Sequence, residues 1–129
     1  QKDQGGVIGI CINSDYAYPW DSSSADDMAA VDTVVQFGFG WYNDPIVFGR
    51  YPDKMVEYIT DNRLPTFTDE ESELMKGSFD FLGLNHYSSK YVHHTGEIGK
   101  DYSSDGRYWI SAYNKEGDLI GPFAESTWL

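Results

Sequence analysis

The chain has 129 residues, 40% hydrophobic and 23% charged, the make-up of a folded domain or part of one and not of a disordered tail. Nine Lys and Arg stand against 21 Asp and Glu, a net charge of −12. A surface this acidic repels phosphate backbones and anionic lipid, which argues against nucleic acid and membrane contact, and no stretch approaches the roughly 20 apolar residues of a membrane-spanning helix.

The opening Gln1-Lys2-Asp3-Gln4 has neither an initiator Met nor the apolar segment of a secretory leader, so the chain is expected to begin inside a longer protein. Val7 to Ile12 is a short apolar run between Gly5-Gly6 and Asn13-Ser14-Asp15, which predicts a strand buried on both faces, as in a parallel sheet. The single Cys11 lies in this run; it has no internal disulfide partner and reads as a buried structural thiol. Tyr16 to Ser23, with Pro19 and a run of serines, predicts a loop.

Ser24 predicts the N-cap of a helix, with Asp26 and Asp27 in its first turn as solvated carboxylates. Met28, Val31, Val35 and Phe39 recur at helical spacing as its apolar face, and Gly38 and Gly40 weaken its end. Trp41 to Pro45 predicts a turn-rich connection. Pro52 at a first helical position opens a short helix with Met55, Val56 and Ile59 on its apolar side. Thr68 and Glu71 form a capping box at the start of a third helix carrying Leu74 and Met75, and Gly77 stops it. Glu70, Glu71 and Glu73 then read as carboxylates at a helix start, not as an acid/base cluster.

Phe79 to Leu84 predicts a second apolar strand, followed by Asn85-His86-Tyr87. From His93 onward no period persists, which predicts a long loop with one hairpin around residues 114–117. His93 and His94 are adjacent with no suitably spaced third ligand, so no metal is expected. Strand alternation turns His86 away from its two neighbours. Trp109 and Trp128 are candidate sugar-stacking rings.

A strand, helices, and a second strand about 65 residues later make a crossover in a parallel sheet. Two strands alone do not make a sheet covered on both faces, so the chain is organised like a slice of a (β/α) barrel, a fold of about 250 residues.

Several collinear stretches carry a specific resemblance. They include Gly6 to Ile10, Pro19-Trp20-Asp21, Gly40 to Ile46 running on to Gly49-Arg50-Tyr51-Pro52, and Leu64-Pro65-Thr66-Phe67-Thr68. Gly77 to Ser89, Ile120-Gly121-Pro122 and Trp128-Leu129 complete the set. Together they cover nearly the whole chain, which resembles the middle of glycoside hydrolase family 1. The wording of Leu84-Asn85-His86-Tyr87-Ser88 leans towards the animal branch.

The resemblance implies an α/β fold, part of a (β/α)8 TIM barrel at about strands 5 and 6, with no domain boundary within residues 1–129. It implies a retaining β-glucosidase as the parent, acting on a β-glucoside or oligosaccharide, without metal or organic cofactor, and secreted or lumenal. The family's acid/base stands in an Asn-Glu-Pro motif and its nucleophile in a Glu-Asn-Gly motif, and neither tripeptide occurs in these residues. The segment alone is therefore expected to be inactive, with the remainder of the barrel as its partner.

The resemblance also assigns supporting roles. The family's tyrosine matching Tyr87 donates its hydroxyl to the nucleophilic carboxylate, and Asn85 and Asn13 match positions around the sugar and the nucleophile. By chemistry alone each asparagine reads first as a turn cap at a strand end, and Tyr87 as a core tyrosine with a satisfied hydroxyl. The motif match moves Tyr87, Asn85 and Asn13 to the site. Two rival readings remain: a klotho-like barrel that binds a partner without catalysis, and a stand-alone carbohydrate-binding module, which the helix-rich crossover disfavours.

Overall fold

A computed structural model describes residues 3–126. The first two strands are β1 (Gly9–Asn13) and β2 (Tyr16–Pro19). Helix α1 (Ala25–Val35) runs through a π-helical segment (Gln36–Gly40) into α2 (Trp41–Phe48), and α3 (Asp53–Tyr58) and α4 (Asp69–Met75) follow. Strands β3 (Phe81–Asn85), β4 (Ser89–His94) and β5 (Tyr108–Ser111) complete the described elements.

β1 and β3 pair in parallel, from Gly9 opposite Phe81 to Asn13 opposite Asn85. The helices lie between them in sequence, the expected crossover. Both strands start and end a residue or two later than the apolar runs suggested, because pairing continues through the asparagines. Burial on both faces is not what the chain shows: Ile12 is 4% exposed, but Phe81 is 54% and Leu84 58% exposed. Among the described residues the two strands pair only with each other, whereas a barrel strand is flanked on both sides.

Beyond the ends of β1 and β3 the chain builds a second sheet in the order β2-β4-β5, parallel between β2 and β4 and antiparallel between β4 and β5. This corrects two expectations, the loop at Tyr16–Ser23 and the long loop from His93. Pro19 is compatible with β2 because it is the last residue of an edge strand, where a missing N–H costs least. The expected hairpin is present. Asn114 N–H donates to Asp118 O, Tyr113 bridges to Leu119, and Gly117 takes a φ of +89°.

The caps fall where the sequence puts them. Ser24 Oγ accepts from Asp27 N–H, and Thr68 and Glu71 form both bonds of the capping box. Gly77, at φ +70°, ends α4 and donates to Ile46 O. Pro52 is the N-cap of α3, one residue before its expected place.

Residues 41–45 are helical, not a turn, and the helix passes through Gly38 and Gly40 without stopping. Gly40 serves packing: a Cβ there would come 2.9 Å from Pro52 Cγ, so its absence lets α3 approach the π-helical segment. The chain turns only at Gly49, in the left-handed conformation.

The inward face of α1 also differs from expectation. Met28 is 53% exposed, and the buried residues are Asp27, Ala30 and Thr33. Ala30 packs with Ala17 of β2 and Val92 of β4, bordered by Val31, Val34 and Tyr108. Small side chains let the helix lie close on the second sheet, a choice that helical periodicity of large apolar residues does not reveal.

Asp27 is the sharpest correction. It is 1% exposed, not a solvated carboxylate. Its oxygens accept from Asp21 N–H at 3.0 Å and His94 N–H at 2.9 Å, and lie within 3.2 Å of His93 Nδ1. A buried carboxylate needs such donors, and here it joins the end of β2, the start of α1 and the end of β4. In a complete barrel containing this segment, Asp27→Asn is expected to lower stability by about 1–3 kcal/mol, because an amide brings N–H groups against donors and leaves one unsatisfied. A thermal midpoint equal to that of the parent would show that the carboxylate is not a tie.

Candidate functional site

Asn13 and Asn85 are the last residues of β1 and β3, and they stand opposite each other in register. In a (β/α) barrel the C-terminal strand ends face the site, so this pair and the turn that follows it mark the place to look. Asn85 Nδ2 donates to Asn13 Oδ1 at 2.9 Å, and the backbone continues the tie through Ser14 N–H to Asn85 O at 2.9 Å. Both side chains are exposed and so face open space beyond the strand ends. They bond to each other, not to the turn backbone as simple caps would.

Cys11, expected to be buried, is exposed in this chain, and its Sγ lies 3.3 Å from Asn85 Oδ1. Residues two apart on a strand share a face, so Cys11 and Asn13 project the same way. That periodicity was visible in the sequence. The contact with Asn85 needed the register of the parallel pair.

Tyr87 lies between β3 and β4, 55% exposed, which places it at an open surface and not in a core. It lines a cavity of about 290 Å³ together with Lys90, Ile120, Pro122 and Phe123. His86 Nδ1 lies 3.0 Å from Ser14 O, anchoring the turn between its two neighbours to the end of β1. The structure thus brings Asn13 and Asn85 into direct contact and sets Tyr87 two residues beyond them.

A second cluster lies along the β2-β4-β5 sheet. Trp20, His93 and Trp109 pack ring to ring, with centroids 4.9 to 5.7 Å apart. His93 is occupied by the Asp27 carboxylate, and Trp109 is 42% exposed. Trp128 lies outside the described residues. Asp21 pairs with Lys115, and the ammonium together with the Ser23 hydroxyl and N–H holds its carboxyl down at about 2. That pair clips the 114–118 hairpin to the Trp20 turn, helped by Lys115 N–H donating to Trp20 O.

A larger cavity, about 660 Å³, lies elsewhere, among α3, α4 and the connection carrying Leu64, Pro65 and Phe67. It shares no residue with the strand-end group. Its walls come from helices and their connections, and position relative to the strand ends, not size, decides where barrel chemistry occurs.

Chemically, Asn13 and Asn85 offer amide donors and acceptors and Tyr87 a phenol, with the Cys11 thiol, the His86 ring and the Asp15 carboxylate, which accepts from Ser88 N–H, beside them. None of the three predicted site residues, Asn13, Asn85 and Tyr87, carries a carboxylate, and their amides and hydroxyl suit them to orienting a substrate or a neighbouring carboxylate. Among the described residues, no group of three or more His, Cys, Asp or Glu side chains could hold a metal ion.

The sequence model for Glycosyl hydrolase family 1 matches residues 1–129. Beta-glucosidase 16 of Arabidopsis thaliana is 43% identical over 130 residues, covering all of this chain and 25% of that protein. Furostanol glycoside 26-O-beta-glucosidase of Hellenia speciosa is 42% identical over 98% of this chain and 22% of its own length. Among solved structures, a GH1 beta-glucosidase from the fungus Humicola insolens in complex with glucose superposes with a TM-score of 0.91 at 44% identity, over 99% of this chain and 27% of that one. The beta-glucosidase from Trichoderma harzianum gives 0.90 at 45% identity, with the same coverage. The chain spans about a quarter of the length of the curated relatives it matches. These relatives are plant and fungal, so the lean towards an animal branch read from residues 84–88 has no support.

Proposed function

The chain belongs to glycosyl hydrolase family 1 and forms part of that family's (β/α)8 barrel, and from this premise we propose that the whole protein is a retaining β-glucosidase. It removes terminal β-linked glucose from a glycoside, with both catalytic glutamates supplied by parts of the barrel outside residues 1–129. A barrel alone supports many chemistries, so the reading rests on the site and on the names of the relatives, not on the fold. The observation that carries it is the Asn13–Asn85 amide pair at adjacent parallel strand ends, with Tyr87 two residues beyond.

In this reading one glutamic acid protonates the leaving oxygen while the other attacks the anomeric carbon, the two carboxyl groups standing about 5 Å apart. The covalent glycosyl-enzyme is then hydrolysed by water, with the first carboxylate acting as base. Tyr87 donates its hydroxyl to the nucleophilic carboxylate, favouring the ionised form and holding its attacking oxygen in place. Asn85 and Asn13 line the sugar side of the mouth as hydrogen-bonding groups. The apolar surfaces of β1 and β3 exposed in this chain pack against the remainder of the barrel.

The test is the hydrolysis of nitrophenyl β-glucoside by a complete barrel containing this segment, followed by proton NMR of the sugar as it forms. Release of β-glucose first, before mutarotation, is the expected result. First release of α-glucose would replace the double displacement with a single one. Binding without turnover would replace the enzyme with a non-catalytic barrel.

A further inference from the structure

The face of the β1-β3 pair that carries the asparagines holds three cross-strand pairs, Gly9 opposite Phe81, Cys11 opposite Gly83 and Asn13 opposite Asn85. The side chains form a chain of hydrogen bonds with a defined direction. The Cys11 thiol donates to Asn85 Oδ1 at 3.3 Å, and Asn85 Nδ2 donates to Asn13 Oδ1 at 2.9 Å. A thiol sulfur is a weaker acceptor than an amide oxygen, so the thiol favours an S–H donated to the oxygen, and because an amide oxygen only accepts and an amide nitrogen only donates, that choice sets the next link. With its oxygen held towards the thiol, Asn85 must turn its amino group to Asn13. Asn13 must then answer with its carbonyl oxygen, and the group it offers to a ligand is its amino donor.

We infer that Cys11 is a positioning residue for this site, setting the orientation of both amides and so presenting an N–H donor from Asn13 to the mouth. The inference rests on the reading of Asn13 and Asn85 as site residues and adds to it the group that orients them. The chemistry an amino donor recognises there is an oxygen acceptor, either a sugar hydroxyl oxygen or a carboxylate.

Gly83 supports the same arrangement independently. A Cβ at that position would stand 3.1 Å from Cys11 Sγ, closer than ordinary contact, so the glycine leaves the space across which the thiol reaches Asn85. An amide pair without the thiol has no comparable reason to choose one direction. If both amides turn over together, the Asn85–Asn13 hydrogen bond is kept with donor and acceptor exchanged, and Asn13 then offers a carbonyl oxygen in place of the donor.

The test uses a complete barrel containing this segment and the pair Cys11→Val and Cys11→Thr, which have the same shape and differ in a hydroxyl donor. Cys11→Val is expected to lower kcat/KM for nitrophenyl β-glucoside about two- to tenfold, the range for one hydrogen bond, and Cys11→Thr to restore most of it. Thermal midpoints of both variants accompany the kinetics, since any cost of β-branching is common to the two. Equal activity of Val and Thr variants, whether both full or both impaired, overturns the inference, because packing alone would then account for Cys11. Asn85→Ala separates the underlying reading: if it leaves kcat/KM unchanged, the strand-end site itself is wrong. A loss in Asn85→Ala with no difference between Val and Thr removes only the role of Cys11.

Discussion

Replacing Tyr87 by phenylalanine in a complete barrel containing this segment is expected to lower kcat for glycoside hydrolysis by about ten- to a thousandfold, the range for one preorganised hydrogen bond at a reacting group. The substitution removes one oxygen from a side chain that is half exposed in the present chain, so little packing is lost with it. What is lost is a donor to the nucleophilic carboxylate. A hydrogen bond to the charged form lowers a carboxyl pKa, so without it the pKa rises and less of the nucleophile is ionised in mild acid. The acidic limb of the kcat/KM profile should therefore move to higher pH in Tyr87→Phe, a shift that a purely structural tyrosine would not produce. A kcat within a factor of two of the parent, with an unmoved acidic limb, would return Tyr87 to the status of an ordinary surface aromatic.

The second large effect concerns residues 1–129 made alone. They are expected to hydrolyse no nitrophenyl β-glucoside, because the sequence contains neither the Asn-Glu-Pro nor the Glu-Asn-Gly motif. They are also expected to lack a cooperative melt. The fully buried hydrophobic residues among those described are few, Ile12, Ala17, Ala30, Met55 and Val92, while Phe81, Leu84 and Leu74 lie exposed. Ordering each residue costs about 1–2 kcal/mol of backbone entropy, and so small a core offers little burial to offset it. The β1-β3 pair also has open edges that invite pairing between copies. Size-exclusion chromatography should show oligomers or a broad profile despite the −12 charge, and near-ultraviolet circular dichroism should be weak although the chain has four Trp and ten Tyr. A sharp monomer peak with a cooperative transition, or turnover above a blank, would make the chain a self-sufficient unit.

The features legible in the sequence are those decided within a few residues. Ser24 and Thr68 cap their helices because the N–H groups they accept from lie three positions away, and the Asn114–Gly117 turn closes on itself in the same way. The two apolar runs, the crossover between them and the asparagines at their ends were also readable, since strands and helices have their own periods. Family membership came through in the same way, carried by an ordered series of short motifs.

The tertiary structure alone decided whatever depends on a partner far along the chain. Strand β2 exists because β4 pairs with it 73 residues later in register, from Tyr16 opposite Ser89, and β5 exists because it pairs with β4. No local period announces strands of four residues. Asp27 looked like any first-turn carboxylate, and only the arrival of residues 93 and 94 over the start of α1 buries it and supplies its donors. Gly40 looked like a helix breaker, and its use appears only with the Pro52 ring against it. Cys11 shows the division most clearly. Alternation put it on the face of Asn13, but the register that places Gly83 opposite it and Asn85 within reach belongs to the paired strands. Local chemistry selects caps, turns and periods through short-range hydrogen bonds; burial, pairing and the direction of a side-chain hydrogen bond are set by neighbours that only the folded chain brings together.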